Sequence, residues 1–150
     1  MKKLLLAITL FLAATTFSQA QTPTQKVYAA VIKNKPADVD ALLSAGADAN
    51  ATVEMMPGFP TTFLIIAAGN GHLEVVKALV KNKAQVDKPD SFNATALMAA
   101  AANGSLAVVE FLLASGANPK AKDKDGKDVL ASAKEGGNAE VLKLIQAKAK

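Results

Sequence analysis

The sequence has no cysteine, no tryptophan and no arginine, and it holds one histidine, His72, and one tyrosine, Tyr28. Without cysteine there are neither disulfides nor thiolate chemistry, so an oxidising compartment is tolerated but not exploited. A lone histidine has no second histidine or cysteine with which to share a metal ion. No serine–histidine–aspartate set and no phosphate-binding loop is written in the chain. Asp123-x-Asp125-Gly126 has the look of a calcium loop, but it lacks a carboxylate at the first position and has Ser132 where the twelfth-position glutamate belongs. No apolar run reaches the ~18 to 20 residues needed to span a bilayer. These absences predict a protein that is not an enzyme and takes no cofactor.

What is present suits one helical domain. The chain has 150 residues, 51% hydrophobic and 20% charged, with alanine, leucine and valine at helical spacing. The N-terminus is a different kind of sequence. Met1-Lys2-Lys3 is basic, Leu4 to Ala14 is apolar, and Thr15 to Ala20 is small and polar. Ser18 and Ala20 stand three and one before a cut, so residues 1–20 read as a signal peptide cleaved between Ala20 and Gln21. A buried N-terminal helix or a membrane anchor is the alternative, but the run is too short to span, its flanks are those of a signal peptide, and no lipobox cysteine tethers it. The expected location is the periplasm or the medium, with no membrane insertion after cleavage. Loss of Lys2 and Lys3 leaves 15 lysines against 13 acids, a net charge of +2. That balance is too slight to argue for nucleic acid.

The centre of the chain repeats itself. TFLIIAAGNGHLEVVKALVKNKA is followed by TALMAAAANGSLAVVEFLLASGA, with Thr62 and Thr95, Leu64 and Leu97, Gly71 and Gly104, and Leu79 and Leu112 each 33 residues apart. A fixed period of this length marks a repeat architecture, whose units bury their apolar faces only against one another. The residues resemble the ankyrin repeat. T-F-L-I-I-A-A and T-A-L-M-A-A-A stand where that family has T-P-L-H-x-A-A, and G-H-L-E-V-V-K-A-L-V and G-S-L-A-V-V-E-F-L-L match its second helix. The resemblance implies an all-α, ankyrin-repeat solenoid of about four stacked helix-turn-helix units with β-hairpin-like finger loops. With the N-terminal signal, it implies the exported, periplasmic bacterial type. The histidine of T-P-L-H is replaced by Ile65, Met98 and Ala131, which removes the side-chain bonds that knit neighbouring loops in that family. His72 occupies the family's G-H-L-E position, where the ring helps to order the helix turn.

The units divide the mature chain. Residues 21–59 form an N-terminal capping repeat with a long finger, 60–127 two central repeats, and 128–150 a C-terminal capping repeat. The first unit opens near Thr24, with Tyr28 and Lys33 on its solvated side and Pro36 starting its second helix. Gly46 and Gly116 stop helices after Leu42-Leu43 and Leu112-Leu113. Leu42 and Leu79 are 37 residues apart, so four extra residues enlarge the finger Ala51–Pro60. That finger carries Met55, Met56 and Phe59, which either contact a partner or fold back over the first helix pair. Asn93 takes the turn-glycine slot of the next finger. Asp128 takes the threonine slot of the last unit, as a helix N-cap can, and Lys134, Lys143, Lys148 and Lys150 keep its outer face polar. Glu74 and Glu110 read as solvated surface.

The family binds proteins through finger tips and the ends of the inner helices. Carried onto this chain, the protein-binding positions are Glu54, Met55, Met56 and Phe59, then Ser91, Phe92 and Ala94, then Lys124, Asp125 and Lys127. Gly69, Asn70, Ala102, Asn103, Glu135 and Gly136 belong to the helix ends. The expected partner is another exported protein, for instance a peptidoglycan-acting enzyme, bound by a monomer. Two roles fit: inhibition or shielding of a periplasmic or secreted enzyme such as a cell-wall hydrolase, as an immunity protein does, or a scaffold or chaperone-like adaptor for an exported protein such as a redox enzyme.

Overall fold

The computed structural model describes residues 20–150. The segment on which the export expectation rests, residues 1–19, lies outside them. Eight short helices follow one another in pairs: α1 (Pro23–Ile32) with α2 (Pro36–Ser44), α3 (Phe63–Gly69) with α4 (Leu73–Lys81), α5 (Ala96–Asn103) with α6 (Leu106–Ala114), and α7 (Val129–Gly136) with α8 (Ala139–Lys148). Helices of this length are marginal alone in water and form because packing rewards them. The packing runs along two rows. α1, α3, α5 and α7 form one row, and α2, α4, α6 and α8 form the other.

Local sequence sets where each helix starts. Thr62 Oγ1 accepts a hydrogen bond from Ile65 N at 3.1 Å, Thr95 Oγ1 one from Met98 N at 3.4 Å, and Asp128 Oδ1 one from Ala131 N at 2.8 Å. Each satisfies one of the donors that a helix N-terminus leaves open. α1 opens earlier than Thr24, because Thr22 and Gln25 form a reciprocal capping box ahead of Pro23. Tyr28 is half-buried and packs on the core, which corrects its assignment to the solvated side; Lys33 is exposed as expected. Gly46 and Gly116 close their helices at φ 106° and 92°, and Lys83 is held at φ 68° in the equivalent place after α4.

The core is continuous along the stack. Leu79 and Leu112 are fully buried at their shared repeat position, and Ile145 fills it in α8. Along the α3, α5 and α7 row alanine is the commonest buried residue: Ala67, Ala68, Ala96, Ala100, Ala101 and Ala133 are all buried. Small side chains let backbones approach closely. The closest approach is at Gly136, where a Cβ would lie 2.1 Å from Ala101 O. That distance makes Gly136 a packing residue, not the contact residue the family comparison suggested.

The connections are better knit than the loss of the T-P-L-H histidine implies. Asn50 donates from Nδ2 to Lys83 O at 3.1 Å and accepts at Oδ1 from Gln85 N at 2.7 Å. Asp87 Oδ1 accepts from Asn118 N at 3.0 Å, and Asn93 Nδ2 donates to Lys122 O at 2.8 Å. His72 does not cap its own helix. Its Nδ1 sits 3.2 Å from Val31 O, 41 residues earlier, and ties the second helix pair to the first.

The all-α reading needs one addition. The first finger is a regular antiparallel hairpin of β1 (Thr52–Met56) and β2 (Phe59–Thr62), turned at Pro57-Gly58, with Gly58 at φ 81°. An isolated bridge, Lys122 to Asp128, closes the last finger.

Candidate functional site

The second and third fingers are built on a common turn. Asp90 Oδ1 accepts from Phe92 N at 2.8 Å and Ala94 N at 2.9 Å; Asp123 Oδ1 accepts from Asp125 N and Lys127 N, both at 2.9 Å. Aspartate favours such turns because its short side chain reaches its own backbone two residues on. Asn93 (φ 63°) and Gly126 (φ 78°) supply the left-handed residue in each. Asp123 and Asp125 therefore belong to a hairpin turn, and among the described residues no cluster of three or more His, Cys, Asp or Glu is placed to hold a metal.

Backbone bonds then join finger to finger. Ser91 N donates to Pro60 O at 3.1 Å, and Lys124 N donates to Phe92 O at 3.0 Å. This lateral zipper sets Phe59 against Phe92, their rings stacked 5.1 Å apart and 6° from parallel. Both remain substantially exposed, at 42% and 48%, and Met55 and Met56 more so, at 62% and 57%. The methionines therefore do not fold back over the first helix pair. Ala51 and Val53, at the base of the finger, are the residues that pack on the core.

Between the fingers and the inner helices lies a groove of about 370 Å³. Met55, Met56, Phe59 and Phe92 form its apolar rim, Ile65, Ile66 and Ala99 contribute from α3 and α5, and Asn70, Asp90 and Ser91 add polar groups. Buried beside it, Ser91 Oγ has no hydrogen-bond partner among the described residues.

Six expected positions thus meet in one place: Met55, Met56, Phe59, Asn70, Ser91 and Phe92, with Gly69 beneath them. Others lie apart. Glu54 is exposed and accepts from Gly58 N at 3.2 Å, so its carboxylate supports the turn. Asn103 and Ala102 are exposed at the end of α5, and Lys124 and Asp125 are exposed on the last finger, none of them lining the groove. Ala94 is half-buried, and Lys127 is paired with Glu135. The reading from sequence missed Pro60, Thr61, Ile65, Ile66, Asp90 and Ala99. Ile65 was findable, since it is the apolar residue standing in the T-P-L-H histidine slot, and Ala99 is the repeat equivalent of Ile66.

Asp40, on α2, does not line the groove. Asn82 Nδ2 donates to Asp40 Oδ1 at 2.7 Å, and Lys81 Nζ lies 3.0 Å from Oδ2. The Asn82 bond first, then Lys81, hold the Asp40 carboxyl below its usual range.

Residues 27–123 match the family described as Ankyrin repeats (3 copies). The match takes in more than half of the chain, and the protein belongs to the ankyrin-repeat family. A comparison with curated proteins finds no match. Ankyrin repeats are protein–protein interaction modules and are typically non-catalytic. The last helix pair, α7 and α8, lies beyond the matched segment. No helix among the described residues is long and apolar enough to cross a membrane.

Proposed function

We propose that the protein is exported, cleaved between Ala20 and Gln21, and binds another exported protein through the Met55–Phe92 groove, shielding or inhibiting that partner. One observation carries the binding half of this reading. Four large apolar side chains stay in solvent side by side on adjacent fingers, around a groove with apolar walls. Clustered exposed apolar surface marks an interaction site, and an aromatic pair flanked by flexible thioethers suits an anchor for a partner's apolar side chain. Glu54, Asp90, Ser91, Lys124 and Asp125 stand on the same row of fingers, which suits an interface with an apolar centre and a polar rim.

Export is supported by the N-terminal pattern, and cleavage at Ala20 leaves the Thr22–Gln25 capping box whole. Shielding is supported by a docking face built on a packed stack, which loses little ordering entropy on binding. A cell-wall hydrolase is the partner class we favour. The test is a photo-crosslinking amino acid at Phe92 and, separately, at Lys148, in cells that secrete the protein. The expected result is one adduct from Phe92 with an exported enzyme whose activity falls when the purified protein is added. An adduct that forms equally from Lys148, or a partner whose activity is unchanged, counts against the proposal. Intact mass of the exported protein checks the cut, since Met1 retained there would exclude it.

A further inference from the structure

The chain has four methionines and no cysteine, so thioether sulfur is its chief oxidisable group. Among the described residues the sulfurs are sharply divided. Met98 is 4% exposed in the core, whereas Met55 and Met56 are the two most exposed large apolar residues. Consecutive strand residues normally face opposite sides of a sheet. Here the register slips between Glu54 and Met56, leaving Met55 without a partner on β2. Such a bulge re-aims a side chain, and both methionines line the groove.

We infer that Met55 and Met56 are a paired oxidation site that switches the groove from apolar to polar. The proposal rests on the groove being the binding face. The oxidant is a peroxide. With hydrogen peroxide, a sulfur lone pair attacks one oxygen, the O–O bond breaks as the S–O bond forms, and the proton on the transferred oxygen passes to the departing hydroxide, which leaves as water. Each sulfur loses two electrons to the peroxide. The product sulfoxide is polar and chiral where the thioether was soft and apolar, so it weakens an apolar anchor beside the Phe59–Phe92 stack. Methionine sulfoxide reductases reverse the change, one enzyme for each epimer. Because the finger projects from the stack, oxidation there leaves the core, including Met98, untouched.

The test treats the purified protein with hydrogen peroxide and follows each methionine by peptide mass spectrometry, with Nile red as a neutral apolar probe of the groove. Expected are sulfoxides at Met55 and Met56 forming roughly tenfold faster than at Met98. Dye fluorescence should fall severalfold at an unchanged melting temperature. The Met55→Leu, Met56→Leu double variant should bind the dye and keep it through the same treatment. Equal rates at all three sulfurs overturn the site, as does a melting temperature that falls in step with oxidation. Dye binding that survives full conversion, or is lost equally from the leucine variant, overturns the switch alone. An untreated protein that binds no dye, or binds it unchanged with Phe92→Glu, overturns the groove reading and the switch with it.

Discussion

The inner-helix seam and the finger row divide the work of the molecule between opposite kinds of side chain. Along α3, α5 and α7 alanine is the commonest buried residue, and at Gly136 even one methyl group has no room. Along the fingers the side chains are long, and Met55, Met56, Phe59 and Phe92 stand in solvent. The seam is held by backbone proximity, and the finger row by backbone hydrogen bonds and the turn side chains of Asp90, Asn93 and Asp123, which leave Met55, Met56, Phe59 and Phe92 uncommitted. Stability and recognition therefore rest on different atoms, and substitution can separate them.

The largest effect should come from the repeat core beneath the seam. Leu79→Ala and Leu112→Ala should each cost roughly 2 to 5 kcal/mol by urea denaturation. Because each unit depends on its neighbours, the whole transition should move and not one end of it. A variant melting like the parent would show that the repeat register is misplaced. Next is the seam itself: Gly136→Ala must push α5 from α7, at about 3 kcal/mol. If Gly136→Ala is instead neutral, the close approach to Ala101 O is not a constraint.

Finger changes should do the reverse. Phe92→Glu, and Met55→Glu with Met56→Glu, should weaken partner binding by about 2 kcal/mol or more and leave the urea midpoint near that of the parent. The stacked ring pair is exposed, so its loss costs the fold little. Variants that unfold early would make the apolar finger structural after all. The smallest effect sits on the outer row. Asp40 has a lower carboxyl pKa when folded than its ordinary value of 3.8. Its contribution is thus complete above that value and lost as pH falls through the folded one. Asp40→Asn should therefore flatten part of the loss of stability between about pH 5 and about pH 2. Equal acid sensitivity in both proteins would remove Asp40 from the account.

Much of the fold was legible because it is local and periodic. Thr62, Thr95 and Asp128 announce three helix starts, Pro36 a fourth, and the 33-residue offset places Leu79 and Leu112 together in the core. What was not legible depends on contacts between units. Nothing near His72 in sequence points to Val31 O, and Gly136 reads as a turn residue until Ala101 O is seen against it. The site divides in the same way. The resemblance to ankyrin fingers singled out Met55, Met56, Phe59 and Phe92, but the bulge that turns both methionines to one side is a matter of strand register. Asp90 and Ala99 join the groove only because repeats stack.

The finger zipper has a consequence for how such a protein changes over time. Ser91 N to Pro60 O and Lys124 N to Phe92 O are bonds between main-chain atoms, indifferent to which side chain each residue carries. Positions 55, 56, 59 and 92 can be re-lettered one residue at a time, while Asp90, Asn93 and Asp123 keep the turns and the spacing of the row. A lineage matching a changing partner, or an experimenter building a library on residues 55, 56, 59 and 92, varies the message and keeps the page on which it is written.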